Sequence, residues 1–231
     1  MDRSNGYAAR VPASTMAPRG HYLAHEVGFL AGVSGHLIGQ WASHGYIRSS
    51  WETKLPRVYS FQDVGEAMVV HELMEAGVPY KDMREAILGL RERFGEDWPL
   101  TRAKDKLGTY GKKGHPKRRV AFKDKDAVYD LGKKGWQQMD ATDLGRISSL
   151  LHRGGWAARN LKDLRYIEVD PDRLSGTPTI KGRRVAAKGV AELADTGSEG
   201  VQILRDEYDL AKDQIRDAQR WWKEARRLVA A

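Results

Sequence analysis

The sequence predicts an α+β chain that is mainly α. It should carry a helix-turn-helix pair with a hairpin and two further helices, then a small central antiparallel β-sheet, then three C-terminal helices. Three observations carry this. Apolar residues recur at helical spacing between Tyr22 and Phe94 and again between Val185 and Leu228; between Ala127 and Val169 the period shortens to alternation; glycine-rich breaks separate these regions. The predicted organisation is a tail at 1–20, a helical domain at 21–95, a basic linker at 96–120, a small β-rich region at 121–169 and a trihelical domain at 170–231.

Residues 1–20 are rich in Ala, Ser, Pro and Arg and show no apolar period, which predicts a mobile tail. From Tyr22 onward Leu23, Val27 and Leu30 share one helical face, and Gly32 ends that helix. Ser34 is a good N-cap for a second helix that turns Leu37, Ile38 and Trp41 inward and stops at Gly45. Tyr46-Ile47 and Val58-Tyr59 flank a polar stretch and predict a small hairpin with its loop around Glu52 to Pro56. Ser60 caps a third helix carrying Phe61, Val64 and Met68, which Gly77-Val78-Pro79 closes. Met83, Ile87, Leu90 and Phe94 then form one apolar stripe on a fourth helix.

The stretch from Thr101 to Arg119 holds three glycines, a proline and eight basic residues against one acid, and reads as a flexible cationic connector. Short strands are predicted at Ala127–Leu131, Trp136–Met139, Ile147–Leu151 and Tyr166–Val169. Val185–Leu193, Ser198–Tyr208 and Lys212–Leu228 read as helices, the last with Ile215, Ala218 and Trp222 on one face. Trp41 and Tyr59 are expected in the core.

Composition excludes several functions. The chain has 231 residues and no cysteine, so disulfides, Cys-containing zinc fingers, Fe–S clusters and Cys nucleophiles are ruled out. No run of eighteen apolar residues and no secretory h-region is present, which predicts a cytoplasmic protein with no membrane contact. His21 and His25 stand at i, i+4 but lack a third ligand, so no metal is expected. Without a phosphate-binding glycine loop or a nucleophile elbow, no cofactor is expected and the chain is read as a non-enzyme. The acidic groups Asp124/Asp126 and Asp206/Glu207/Asp209 lie among cations and read as solvated faces.

Charge is unevenly placed. The net +8 comes from 39 basic and 31 acidic residues. Residues 1–100 hold 10 basic and 12 acidic side chains, and residues 101–135 hold 12 and 4. Such a block is either an arm that meets a polyanion or a solvated lysine-rich loop.

The stretches AGVS at Ala31 to Ser34, Trp41, Gly45-Tyr46-Ile47 and RVYSFQDV at Arg57 to Val64 resemble the MerR-like winged-helix family. Gly39 and Gln40 stand where that family usually has arginine followed by an aromatic. The resemblance implies operator DNA as partner, with the second helix in the major groove and the hairpin on flanking phosphates. The candidate contacts are Ser34, His36, Gln40, Ser43 and His44 on the helix, with Arg48, Ser49, Lys54 and Arg57 on the wing. The same helices kept for protein contacts are the alternative, and the slight negative charge over 1–100 favours it.

Further on, Asp170, Pro171, Gly176, Pro178, Ile180, Gly182, Arg184, Val185, Gly197, Ser198, Tyr208, Leu210, Ile215 and Ala218 fall in order on the pattern of the VapB-type antitoxin family, whose hallmark domain was long labelled as of unknown function. This resemblance implies a compact trihelical, homeodomain-like module. It further implies an antitoxin of a type II module that represses its own operon as a homodimer and neutralises a PIN-like ribonuclease toxin encoded beside it. Toxin binding or dimerisation would then fall to Arg183, Arg184, Tyr208, Trp221 and Trp222, with one of the two tryptophans turned inward. A regulator with no toxin partner, sensing a ligand through the central sheet, and a pure interaction protein remain as alternatives.

Overall fold

The computed structural model describes residues 17–103, 106–111, 118–125, 127–131, 137–139, 145–146, 164–170 and 172–229. Helix α1 (Ala24–Ala31) ends on Gly32, whose left-handed backbone (φ 77°) turns the chain within three residues into α2 (Gly35–Ser43). Ser34 caps α2, its hydroxyl accepting from the Leu37 amide at 3.2 Å. Two glycines allow the pair to cross closely. A Cβ on Gly28 would stand 2.7 Å from the Val33 carbonyl oxygen, and one on Gly35 would stand 2.8 Å from His25 Cα.

Helix α3 (Phe61–Glu75) starts from a capping box between Ser60 and Asp63, and α4 (Tyr80–Phe94) follows the Gly77-Val78-Pro79 break. Met83, Ile87 and Leu90 of α4 are buried, as their spacing predicted, and Trp41 and Tyr59 lie in the same core. A short α5 (Pro99–Ala103) then leads into an antiparallel sheet of β1 (Leu107–Tyr110), β2 (Arg119–Asp124), β3 (Ala127–Asp130), β4 (Gln137–Met139) and β5 (Gly145–Arg146), in the order β4-β3-β2-β1-β5. Phe122 of β2 packs on Phe94 of α4 at 5.7 Å between rings, which fixes the sheet to the helices.

The C-terminal part opens with β6 (Ile167–Glu168) paired to β7 (Thr179–Ile180). Helices α6 (Ala187–Ala194), α7 (Ser198–Asp206) and α8 (Lys212–Val229) follow. Helix α8 packs along α6 and also against α1, so the last helix and the first described one share a core. The fold is mixed α+β and mainly helical, with small antiparallel sheets.

Several expectations are corrected. The end of the tail is built in: the Arg19 amide donates to Gln62 Oε1 at 3.1 Å and its carbonyl accepts from Phe61 at 2.6 Å. Residues 1–16, the rest of that tail, lie outside the described residues. The linker expected at 96–120 contains α5 and β1, because Trp98, Leu100, Ala103 and Leu107 bury themselves despite their sparse spacing. The Tyr166–Val169 strand pairs with β7 and so belongs to the C-terminal part rather than to the central sheet. The Ile147–Leu151 strand lies outside the described residues. The hairpin closes through Glu52 and Val58, not through Tyr46-Ile47. On α8 the inward face is Ile215, Ala218, Trp221 and Ala225, with Trp222 only partly buried. His21 precedes α1 and stacks on Trp51 at 4.5 Å, so it shares no helix face with His25.

Candidate nucleic-acid interface

Helix α2 has no charged residue, and Ile38 and Trp41 turn its apolar side inward. The opposite side presents His36, Gln40, Ser43 and His44 to solvent. Gln40 Nε2 lies 3.0 Å from His36 Nε2, and His44 Nδ1 donates to the Gln40 carbonyl at 2.8 Å. The Ser43 hydroxyl donates to the Gly39 carbonyl at 2.9 Å and the Ser34 hydroxyl serves the cap, so these two have their first hydrogen bond within the helix. A Cβ placed on Gly39 would meet nothing within 4 Å, which leaves that side of α2 open.

The 47–59 loop stands against this helix. Arg57 donates from Nη1 to the Gly39 carbonyl at 3.4 Å, and the Glu52–Val58 bridge closes the loop, with Val58 N to Glu52 O at 3.1 Å. Lys54 is exposed, its amide held by Glu52 Oε1 at 2.8 Å. Arg48 is exposed but ion-paired with Asp97. Ser49 is 6% exposed, which corrects its place among surface candidates: the chain turns inward there toward the buried carboxylate of Asp63.

Asp63 entered the sequence reading only as part of the RVYSFQDV stretch, with no role given to it, yet it organises the loop. Its carboxylate accepts from Ser50 N at 2.8 Å, Ser50 Oγ at 2.6 Å, Ser60 N at 2.8 Å and Trp98 Nε1 at 2.8 Å. A buried carboxylate is tolerable with this many donors. The S-x-x-D spacing at Ser60 to Asp63 was the available signal, since it marks a capping box but not the two longer reaches. One turn further on, Glu66 accepts from the Thr101 amide at 2.6 Å and the Leu100 amide at 3.3 Å, satisfying the start of α5. Burial pushes the Glu66 carboxyl up to about 7, against the lowering effect of its hydrogen bonds to Thr101 and Leu100.

Two of the six described cations at 101–135, Lys106 and Arg119, are ion-paired within the protein. Asp124 pairs with Lys106 at 2.9 Å and with Arg93 at 2.6 Å, and its carboxyl is held low, first by the Lys106 hydrogen bond. Asp130, nearly fully buried, pairs with Arg119 at 2.9 Å. Burial, then the hydrogen bond to Asp130, raises the Tyr110 hydroxyl to about 12. Residues 104–105, 112–117, 126 and 132–136, which hold the other six cations of the 101–135 block, lie outside the described residues.

The C-terminal candidates do not form one surface. Arg183 donates to the Tyr208 carbonyl at 2.8 Å and pairs with Asp209 at 3.0 Å, beside a hollow also lined by Tyr166, Arg205 and Lys212. Arg184 and Tyr208 are both exposed. Trp221, at 4% exposure, is a core residue packed on α1, and this removes it as a partner contact. Trp222 stacks on Trp221, and the Lys188 and Arg226 cations each approach its ring to 5.2 Å. Among the described residues no group of three or more His, Asp or Glu is arranged to hold a metal, and no helix is long and apolar enough to cross a membrane.

Comparison with known proteins places these parts in context. Residues 167–221, which span β6 to Trp221, match the model of a family described as a protein of unknown function, DUF433. The crystal structure of Rv2018 from Mycobacterium tuberculosis is similar in fold, with a TM-score of 0.50 at 18% identity, covering 88% of this chain and 98% of that one. The uncharacterized protein Rv2308 of Mycobacterium tuberculosis (strain ATCC 25618 / H37Rv) is 30% identical over 245 residues, 96% of this chain and 99% of its own length. At that identity and coverage of both chains, the chain belongs to the family of Rv2308.

Proposed function

We propose that this chain is a DNA-binding antitoxin of a type II toxin–antitoxin module, repressing its own operon as a homodimer and neutralising a PIN-like ribonuclease. In this reading 21–95 is a MerR-like winged helix, with α2 as reading helix and 47–59 as wing. The C-terminal helices are a homeodomain-like module that faces the toxin.

The observation that carries the DNA half is the bond from Arg57 to the Gly39 carbonyl, because it sets the cationic loop beside the uncharged polar face of α2. A neutral face with amide, imidazole and hydroxyl groups suits base edges, while cations at its side suit phosphates. The toxin half rests on the resemblance of Asp170 to Ala218 to VapB-type antitoxins and on charge. Helix α7 exposes Glu199 and Asp206, with Glu207 just beyond, against one cation, Arg205; this suits a basic protein surface and not a phosphate backbone.

The test is retardation of the chain's own upstream region across a salt series, with and without the product of the adjacent gene. Specific retardation, together with co-purification of the two proteins, is expected. Binding equal on all sequences would overturn the operator reading, and a neighbour that fails to co-purify would overturn the toxin half.

A further inference from the structure

We propose, on the footing of the DNA-binding reading, that the tip of the 47–59 loop is a minor-groove wedge: Leu55 inserts between base pairs and kinks the duplex while Lys54 and Arg57 hold the flanking phosphates. Leu55 is 83% exposed, the most exposed large apolar side chain among the described residues. It stands directly between Lys54 and Pro56, with Arg57 one place further.

A lone exposed leucine needs no explanation in itself. This one sits on a loop that is already rigid. The Glu52–Val58 bridge closes the loop, Glu52 Oε1 holds the Lys54 amide at 2.8 Å, and Arg57 is anchored on Gly39 of α2. At the loop's base the Trp51 indole donates to the Gly20 carbonyl at 2.6 Å and its ring stacks on His21 at 4.5 Å with a 15° tilt. The entropy of ordering the tip is therefore lost on folding and not on binding.

An apolar side chain with cations on either side is the arrangement that opens a base step from the minor groove. A duplex offering its major groove to α2 turns the neighbouring minor groove toward a loop tied to that helix. Because unstacking is easiest at pyrimidine–purine steps, the wedge adds sequence preference at a position no side chain reads by hydrogen bonding.

The experiment uses the full chain and a duplex from its own upstream region. It combines retardation, bending measured by circular permutation, and permanganate reactivity of thymines, which reports unstacking. Wild type should bend the fragment and expose a thymine at one pyrimidine–purine step. Leu55→Ala should lose both signals and bind roughly tenfold more weakly, as expected for about 1.4 kcal/mol of lost burial, with an unchanged salt slope. Leu55→Met should keep both. Retardation by wild type without bend or thymine reactivity would overturn the wedge and leave DNA binding standing. Absence of any retardation would overturn both together, and is told apart by that absence.

Discussion

Phe29 of α1 meets Trp221 of α8 edge to face, with ring centroids 5.9 Å apart. Through this contact the helix that supports α2 also carries the C-terminal helix, so the first and last described parts of the chain bury apolar surface against each other. Tyr22 adds a second tie, since it pairs with Tyr59 while lying against Gly176.

If the two ends share a core, they should unfold together. Trp221→Ala should cost about 3–5 kcal/mol, the usual range for emptying a buried aromatic site. Trp222→Ala should cost much less, since that ring is partly exposed and its cation–π contacts contribute about 0.5–1 kcal/mol each. Urea unfolding followed by circular dichroism checks this, and two separate transitions in the wild type would contradict a shared core.

Gly176 and Gly39 should respond oppositely to alanine. At Gly176 the backbone has φ 84° and a Cβ would stand 1.9 Å from the buried Tyr22 hydroxyl, so Gly176→Ala should destabilise by roughly 2 kcal/mol or more. At Gly39, inside α2, nothing lies within 4 Å of a Cβ, so Gly39→Ala should stabilise by about 0.5–1 kcal/mol. Thermal melting of the two variants decides the signs.

Glu66 should make the protein less stable as pH rises. Its carboxyl is at about 7 in the folded chain against 4.5 as the ordinary value, so between these pH values the folded state binds more protons than the unfolded one. Stability is fully present below 4.5 and is lost as pH climbs toward 7, by up to about 3 kcal/mol. Glu66→Gln should flatten that part of the profile. An unchanged slope between pH 4.5 and 7 in denaturant titrations would contradict the assignment.

Asp97 should compete with phosphate for Arg48. The two are ion-paired and both partly exposed, so the pair stabilises the fold by no more than about 1 kcal/mol. Asp97→Asn should leave the melting temperature nearly unchanged and tighten DNA binding at low salt by a few fold. Arg48→Ala should lower the salt slope by about 1. Equal slopes for wild type and Arg48→Ala would remove this residue from the phosphate contacts.

Local chemistry was readable from the residues themselves. Gly32, Ser34, Gly45, Ser60 and Gly77 end or begin helices where their types predicted, and the Met83–Leu90 stripe is buried. Caps and helical stripes depend on neighbours within one turn, which a linear reading sees. The α2 surface followed from the same reasoning, because Ile38 and Trp41 mark the inward side and leave His36 and Gln40 outside.

Contacts between distant residues decided the rest. Basic and glycine-rich composition hid α5 and β1, whose formation depends on Glu66 meeting the amides of Leu100 and Thr101 and on β1 pairing with β2. Ser49 read as a surface serine until the turn toward Asp63 drew it inward. Two adjacent tryptophans on a helix point in different directions, but which one faces the core was settled only by the position of Phe29. The sequence by itself determined where helices start, stop and turn their apolar sides. The tertiary structure alone decided which carboxylates are buried, which cations they neutralise and how the two ends of the chain meet, because those energies arise between groups that no local period relates.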